Sequence, residues 1–216
     1  MLLFIAFLVG TLLHLATIAA TARAFGVGIR TVSLGFGPRV VGIGSLRICA
    51  LPAGGYVRLV DSREGPLGPG EKARAFDGKS PLAQIVVSLS GCGALILAAV
   101  VLAGPGAWRA AAAAPLQFIL GAASPFGEAQ DLLRDMWTFS ASASTASVFG
   151  IVAAKMAGIN LLPLPALNGG AAVAVLARAT GLHKVWSPAS TQALLLLLVA
   201  ALGSWLVAIV VHAVKA

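Results

Sequence analysis

Long uncharged stretches alternate with short polar ones along the chain, and their lengths are the first thing to interpret. Residues 2 to 22 contain no charged side chain. A helix of about 20 apolar residues, rising 1.5 Å per residue, crosses roughly 30 Å of hydrocarbon. Comparable runs return at about 82 to 103, 143 to 162 and 189 to 213, so the pattern predicts four membrane spans. A cleavable signal would need positive charge ahead of its apolar core. Here the first charge is Arg23, and the run reads as a retained span. Lys155 is the awkward residue in the third run, either snorkelling from near a helix end or marking a misplaced boundary.

Between the first two runs the period changes. From 28 to 60, glycines and β-branched residues rise, and TVSLGFGPRVV, SLRICAL and GGYVRLV read as short strands broken by Gly and Pro. Backbone at membrane depth must be paired or covered by protein, so a small hairpin element against the membrane is expected. Residues 61 to 80 form the most polar stretch, a solvated loop. Within 104 to 141, AWRAAAAAPLQFIL suits a short interfacial helix and FGEAQDLLRDMW is amphipathic. SGCGA in the second span supplies small residues that let helices approach closely. NLLPLPALNGG, from 160 to 170, holds two prolines that forbid a regular helix.

Composition agrees with this pattern. The 216 residues are 59% hydrophobic and 10% charged, with mean hydropathy +0.96, whereas a soluble domain carries about a quarter charged residues. The fold class is therefore an all-α polytopic membrane protein, one domain over 1–216, with a small β-hairpin element. Cys49 and Cys92 lack metal-type spacing, so neither a disulfide framework nor a zinc ribbon is indicated. The net charge of +8 reports topology and anionic lipid; no aromatic–basic interleaving suggests nucleic acid. Residues 23 to 80 hold nine Lys/Arg against four Asp/Glu, and Arg178 and Lys184 follow the NGG stretch. By the positive-inside tendency these two segments face the cytoplasm, and 104 to 141 and both termini are extracytoplasmic.

His14 inside span one, Asn160 and Asn168 around the broken stretch, and Pro52-Ala53-Gly54-Gly55-Tyr56-Val57 between spans one and two form a set. Together with Ala22-Arg23, Gly26-Val27, Ser33-Leu34-Gly35-Phe36-Gly37-Pro38 and Ala75-Phe76-Asp77-Gly78-Lys79-Ser80 they follow a known order. The chain resembles the site-2 protease family of intramembrane zinc metalloproteases, in particular its bacterial envelope-stress members. Five motifs cover most of residues 12 to 172. The resemblance implies a site-2 protease core in a bacterial inner membrane, acting on transmembrane proteins in regulated proteolysis. The extracytoplasmic PDZ domains of the envelope-stress members have no counterpart in 104 to 141.

The resemblance also implies a chemistry that the residues do not supply. The family's H-E-x-x-H puts two zinc ligands and a general base on one helix, and the Asp of L-D-G is the third ligand. Here His14 keeps the first position, while Leu15, Ile18 and Asn168 occupy the base and the two other ligand positions. A hydrocarbon neither coordinates zinc nor deprotonates water. The expected reading is an inactive homologue with no catalytic residues and no cofactor. It would use a cavity of His14, Thr17, Asn160, Pro163, Pro165, Asn168 and Gly169, and a segment-binding hairpin of Gly54, Gly55, Tyr56, Val57 and Arg58. Its partners would be the bilayer and a transmembrane protein or the subunits of a membrane complex. The structural alternative for His14 is an imidazole hydrogen-bonded to Asn168 or Thr17 that glues two helices. The functional alternative is a working zinc endopeptidase with His14 and Asn168 among unusual ligands; His183 and His212 would need another geometry to join them.

Overall fold

The computed structural model describes residues 1–182 and 188–215; His183 and Lys184 lie outside them. Helix α1 (Leu2–Ala24) is followed by strands β1 (Ile29–Ile43) and β2 (Leu46–Leu59), then α2 (Pro81–Ala103), α3 (Ala107–Ala123), α4 (Glu128–Ser142), α5 (Thr145–Asn160), α6 (Asn168–Ala179) and α7 (Pro188–Lys215). Three described helices are long and apolar enough to cross a membrane: Leu2–Ala24, Pro81–Ala103 and Ala189–Lys215. The third predicted span is an apolar helix of 16 residues, short for the roughly 20 a span takes, because the Pro163–Pro165 stretch stops it.

Caps agree with the local sequence. The Ser80 hydroxyl accepts from Ala83 N–H at the start of α2, with Pro81 in the first turn, where its missing donor costs nothing. Ser144 caps α5 in the same way through Ser147 N–H. The two helices meet α3 in an alanine-rich core of Leu95, Ala99, Ala107, Ala111, Ala153, Ala154 and Ala157. Side chains this small let backbones approach, and a Cβ on Gly158 would stand 2.1 Å from the Ala111 carbonyl oxygen. So AWRAAAAAPLQFIL forms a helix whose buried face lies along α5. Lys155 lies inside α5 and donates to Gln117 Oε1 on α3 at 2.5 Å. Helix α7 is held by Trp205 Nε1 donating to the Phe118 carbonyl at 2.9 Å and by Gln130 of α4 donating to the Ala208 carbonyl at 3.0 Å.

The segment from 29 to 59 differs from the three short strands expected. It is one antiparallel hairpin with strands of 15 and 14 residues. Its glycines make bulges and do not end strands: Gly35, Gly37 and Gly54 have φ of 86°, 83° and 127°, and the register slips around them. The hairpin curls so that Val32, Ser33 and Leu34 pair on both sides, with Val57 to Gly55 and with Leu46 to Ile48, and neither Pro38 nor Pro52 takes a paired position. The root of the hairpin packs on α1 and α2 through Val27, Ala22, Phe76 and Val87. Its far half is apolar and uncovered, with Val40, Ile43 and Leu51 each at least 60% exposed.

Candidate functional site: a cavity around His14 and Asn168

Three helices and the hairpin converge on His14. Its side chain is buried, 8% exposed, and α2 reaches it through Gly91, where a Cβ would stand 2.6 Å from Nδ1 and 2.9 Å from the His14 carbonyl oxygen. Any side chain at 91 would force α1 and α2 apart. That is the close approach expected from SGCGA, located at one residue.

Asn168 comes from the other side. Residues 161 to 167 carry no regular helix, and Ala166 is held at φ 69°, unusual for a residue with a side chain. Gly169 and Gly170 lie on the carbonyls of that stretch: their Cβ atoms would meet Leu161 O at 2.1 Å and Leu164 O at 2.0 Å. The glycines fold the broken segment back on α6, and Asn168, its first residue, projects between α1 and α2. Its Nδ2 donates to the Ser88 carbonyl of α2 at 2.5 Å, and its Oδ1 lies 3.1 Å from His14 Nε2. A carbonyl only accepts, so the amide nitrogen faces Ser88 and the amide oxygen faces His14. Nε2 is therefore the donor. His14 Nδ1 is left buried without a hydrogen-bond partner. The pairing of His14 with Asn168 anticipated from sequence is thus present.

Leu15 and Ile18, read from sequence as standing at the base and second-ligand positions, are taken up by packing. Leu15 is 3% exposed and Ile18 9%. A Cβ on Gly55 would meet Leu15 Cδ1 at 2.6 Å and Ser33 O at 2.3 Å, so the residue at the general-base position is where β2 rests on α1.

These groups line one cavity of about 730 Å³, which also takes in Thr11, Phe36, Gly54 to Val57, Ser88, Phe118, Met156, Asn160, Pro165 and Leu202. The cavity residues and the hairpin residues, named from sequence as two surfaces, therefore share one concavity. Thr17 does not join it: its hydroxyl donates to the Leu13 carbonyl at 2.8 Å. Pro163, Gly169 and Arg58 are also off its wall; Arg58 instead pairs with Glu64 at 2.8 Å. Asn160 lines the cavity but donates back to the Met156 carbonyl of its own helix. The two carboxylates on the rim are engaged, Asp61 by Arg63 and Glu64 by Arg58. Phe118 and Leu202 had no sequence signal, since both belong to apolar helices whose facing only the fold sets.

The family chemistry calls for zinc, which takes three protein ligands from His, Cys or carboxylate at a catalytic site. This cavity offers one imidazole and one amide, each already hydrogen-bonded, and two hydrocarbons. Among the described residues, no three His, Cys, Asp or Glu come together. The donor set does not fit zinc of the usual kind.

Comparison with curated proteins returns no match. The model of Peptidase family M50 matches residues 2–204, nearly the full length. With the His14–Asn168 constellation in place on its three helices, the chain belongs to peptidase family M50, the site-2 proteases.

Proposed function

We propose that the protein is a pseudoprotease of this family. It holds a transmembrane or extended segment of a partner membrane protein in the His14 cavity, alone or as a structural or regulatory subunit of a membrane complex. Its place would be a bacterial inner membrane, crossed four times with both termini extracytoplasmic. The observation that carries the reading is the Asn168 amide. It is satisfied on both sides without a metal, as donor to Ser88 O and acceptor from His14. A carboxylate cannot donate, and at this position it would face a backbone carbonyl. Leu15, seated on Gly55, adds a packing role where a base would have stood. The cavity supports segment binding because β2 lines it from Gly54 to Val57. Gly55, Tyr56 and Val57 pair only with Leu34, Ser33 and Val32 among the described residues, so the other edge of that stretch is open to an extended chain.

Metal content tests the reading directly. The protein, purified in mild detergent, is compared with His14→Ala by elemental mass spectrometry. The expected result is no stoichiometric zinc in either. About one zinc per chain in the wild type, lost in the variant, would overturn it and favour the alternative, an intramembrane endopeptidase with non-standard ligands whose substrate would then be sought.

A further inference from the structure

A second cleft, of about 390 Å³, shares no lining residue with the His14 cavity but adjoins it through the Arg63–Asp61 pair, and is lined by Arg63, Asp77, Lys79, Gln84, Val175 and Arg178 among others. It joins the polar loop, the first turn of α2 and the last turn of α6, the two segments whose positive charge places them on one membrane face. Among the described residues three cations line it against one carboxylate.

The carboxylate is already committed. Asp77 accepts from both the backbone N–H and the hydroxyl of Ser62. Burial, the largest single effect, raises its affinity for a proton, but the two Ser62 bonds, its own backbone N–H and Arg63 together hold the carboxyl below its ordinary range. Arg63 is committed as well: it donates to Asp61 from Nε and Nη2 and its guanidinium lies 6.0 Å from the Phe76 ring centre. The other two cations are not neutralised. Lys79 donates only to the Ala73 carbonyl, at 3.2 Å, which leaves two of the three ammonium protons. Arg178 makes no hydrogen bond or ion pair among the described residues. Burial, and then the like charge of Arg63, hold its guanidinium below the ordinary range despite Asp61 and Asp77. The α6 C-terminus favours a cation here, but that dipole uses none of the five guanidinium donors.

We propose that this cleft binds a phosphate-bearing anion, gripped by the Arg178 fork and the Lys79 ammonium. A planar guanidinium and an ammonium lining the same cleft match the several acceptor oxygens of a phosphate. The chemistry has two sources. One is the headgroup of an anionic lipid, since the cleft opens beside the first turn of an apolar helix long enough to cross a membrane. The other is a soluble phosphate.

Thermal unfolding of the full chain in mild non-ionic detergent separates them. The titrants are short-chain phosphatidylglycerol, short-chain phosphatidylcholine, and inorganic phosphate against chloride of equal ionic strength. Saturable stabilisation by phosphatidylglycerol alone identifies the lipid source; saturable stabilisation by inorganic phosphate identifies the soluble one. In either case Lys79→Gln with Arg178→Gln should raise the half-saturating concentration about tenfold or more, as expected for losing charge-assisted hydrogen bonds. Asp77→Asn, which removes the only lining carboxylate, should lower it, a gain that a misfolded variant could not mimic. Arg134→Gln, on the exposed face of α4, should change nothing. No saturable response to any titrant, or a double variant that responds like the wild type, overturns the proposal.

Discussion

Asn168 holds two contacts at once, and each uses a different end of one amide. Changing it to Asp keeps the shape and the acceptor toward His14 but removes the donor toward Ser88. An unsatisfied buried carbonyl facing a carboxylate costs about 1–3 kcal/mol. Asn168→Asp should therefore lower thermal stability in detergent by about that much and leave the protein without zinc. An unchanged or higher melting temperature would mean that something other than the amide occupies this position. His14, Leu15, Ile18 and Asn168 were all legible in the sequence because side-chain chemistry announces itself in a one-letter code. Ser88 was not, since it contributes a backbone carbonyl that every residue type possesses. Thr17 was misplaced in the cavity for a related reason: one helical turn from His14 is near in sequence, but its hydroxyl is used up on the Leu13 carbonyl.

The hairpin is the element whose reading changed most. Gly and Pro punctuate its sequence, and punctuation normally ends strands. Here positive φ at Gly35, Gly37 and Gly54 lets the ladder skip a residue and continue, which no period-2 pattern reveals. Gly55 is constrained from both sides, by Ser33 of β1 and Leu15 of α1. A larger side chain there has to separate β2 from α1, and overpacking of this kind costs about 1–3 kcal/mol. Gly55→Val should expose Arg47 and Arg58 in the strands to trypsin faster than in the wild type, with α1 and α2 still resistant. Equal cleavage rates would show that the hairpin does not depend on this contact. By contrast α1, α2 and α7 were readable to within a few residues, because the length of an apolar run is set by the thickness of a bilayer. Helix α5 was read as closely, Thr145–Asn160 against about 143 to 162, but the residues lost at its ends leave it 16 long, short of the roughly 20 a span takes.

At the scale of the whole molecule, the polar loop ties the hairpin to the helices. Glu71 accepts from Gly68 N–H at 2.7 Å and pairs with Arg30 of β1 at 3.3 Å. The Gly68 bond, then Arg30, hold its carboxyl below the ordinary range against a smaller effect of burial. Asp77 behaves similarly through Ser62. A carboxylate depressed in the folded state contributes fully above its unfolded pKa, about 4 for Asp and Glu. That contribution is lost as pH falls through the folded value. The loop should therefore be fully docked at neutral pH and loosen below about pH 4, ahead of the apolar helices, which hold no such pairs. Hydrogen exchange of residues 61 to 80 between pH 7 and pH 3, corrected for intrinsic rates, would register this; a loop as protected at pH 3 as at pH 7 would contradict it. The loop's closeness to α6 was legible only as charge of one sign on two distant segments. The cleft between them needed coordinates.

The bond between His14 and Asn168 also has a history within each molecule's synthesis. The two residues are 154 positions apart, and Ser88 is 80 from Asn168. A chain emerging N-terminus first therefore inserts α1 and α2 long before the residue that joins them exists. Until α6 arrives, His14 sits in an apolar helix with neither ring nitrogen satisfied. Contacts that close so late order the assembly: α1 and α2 can pack through Gly91, but their register is fixed only when the last link is made. Chains truncated before Asn168 would thus be the forms most exposed to membrane quality control, and the cavity is a feature of the finished protein alone.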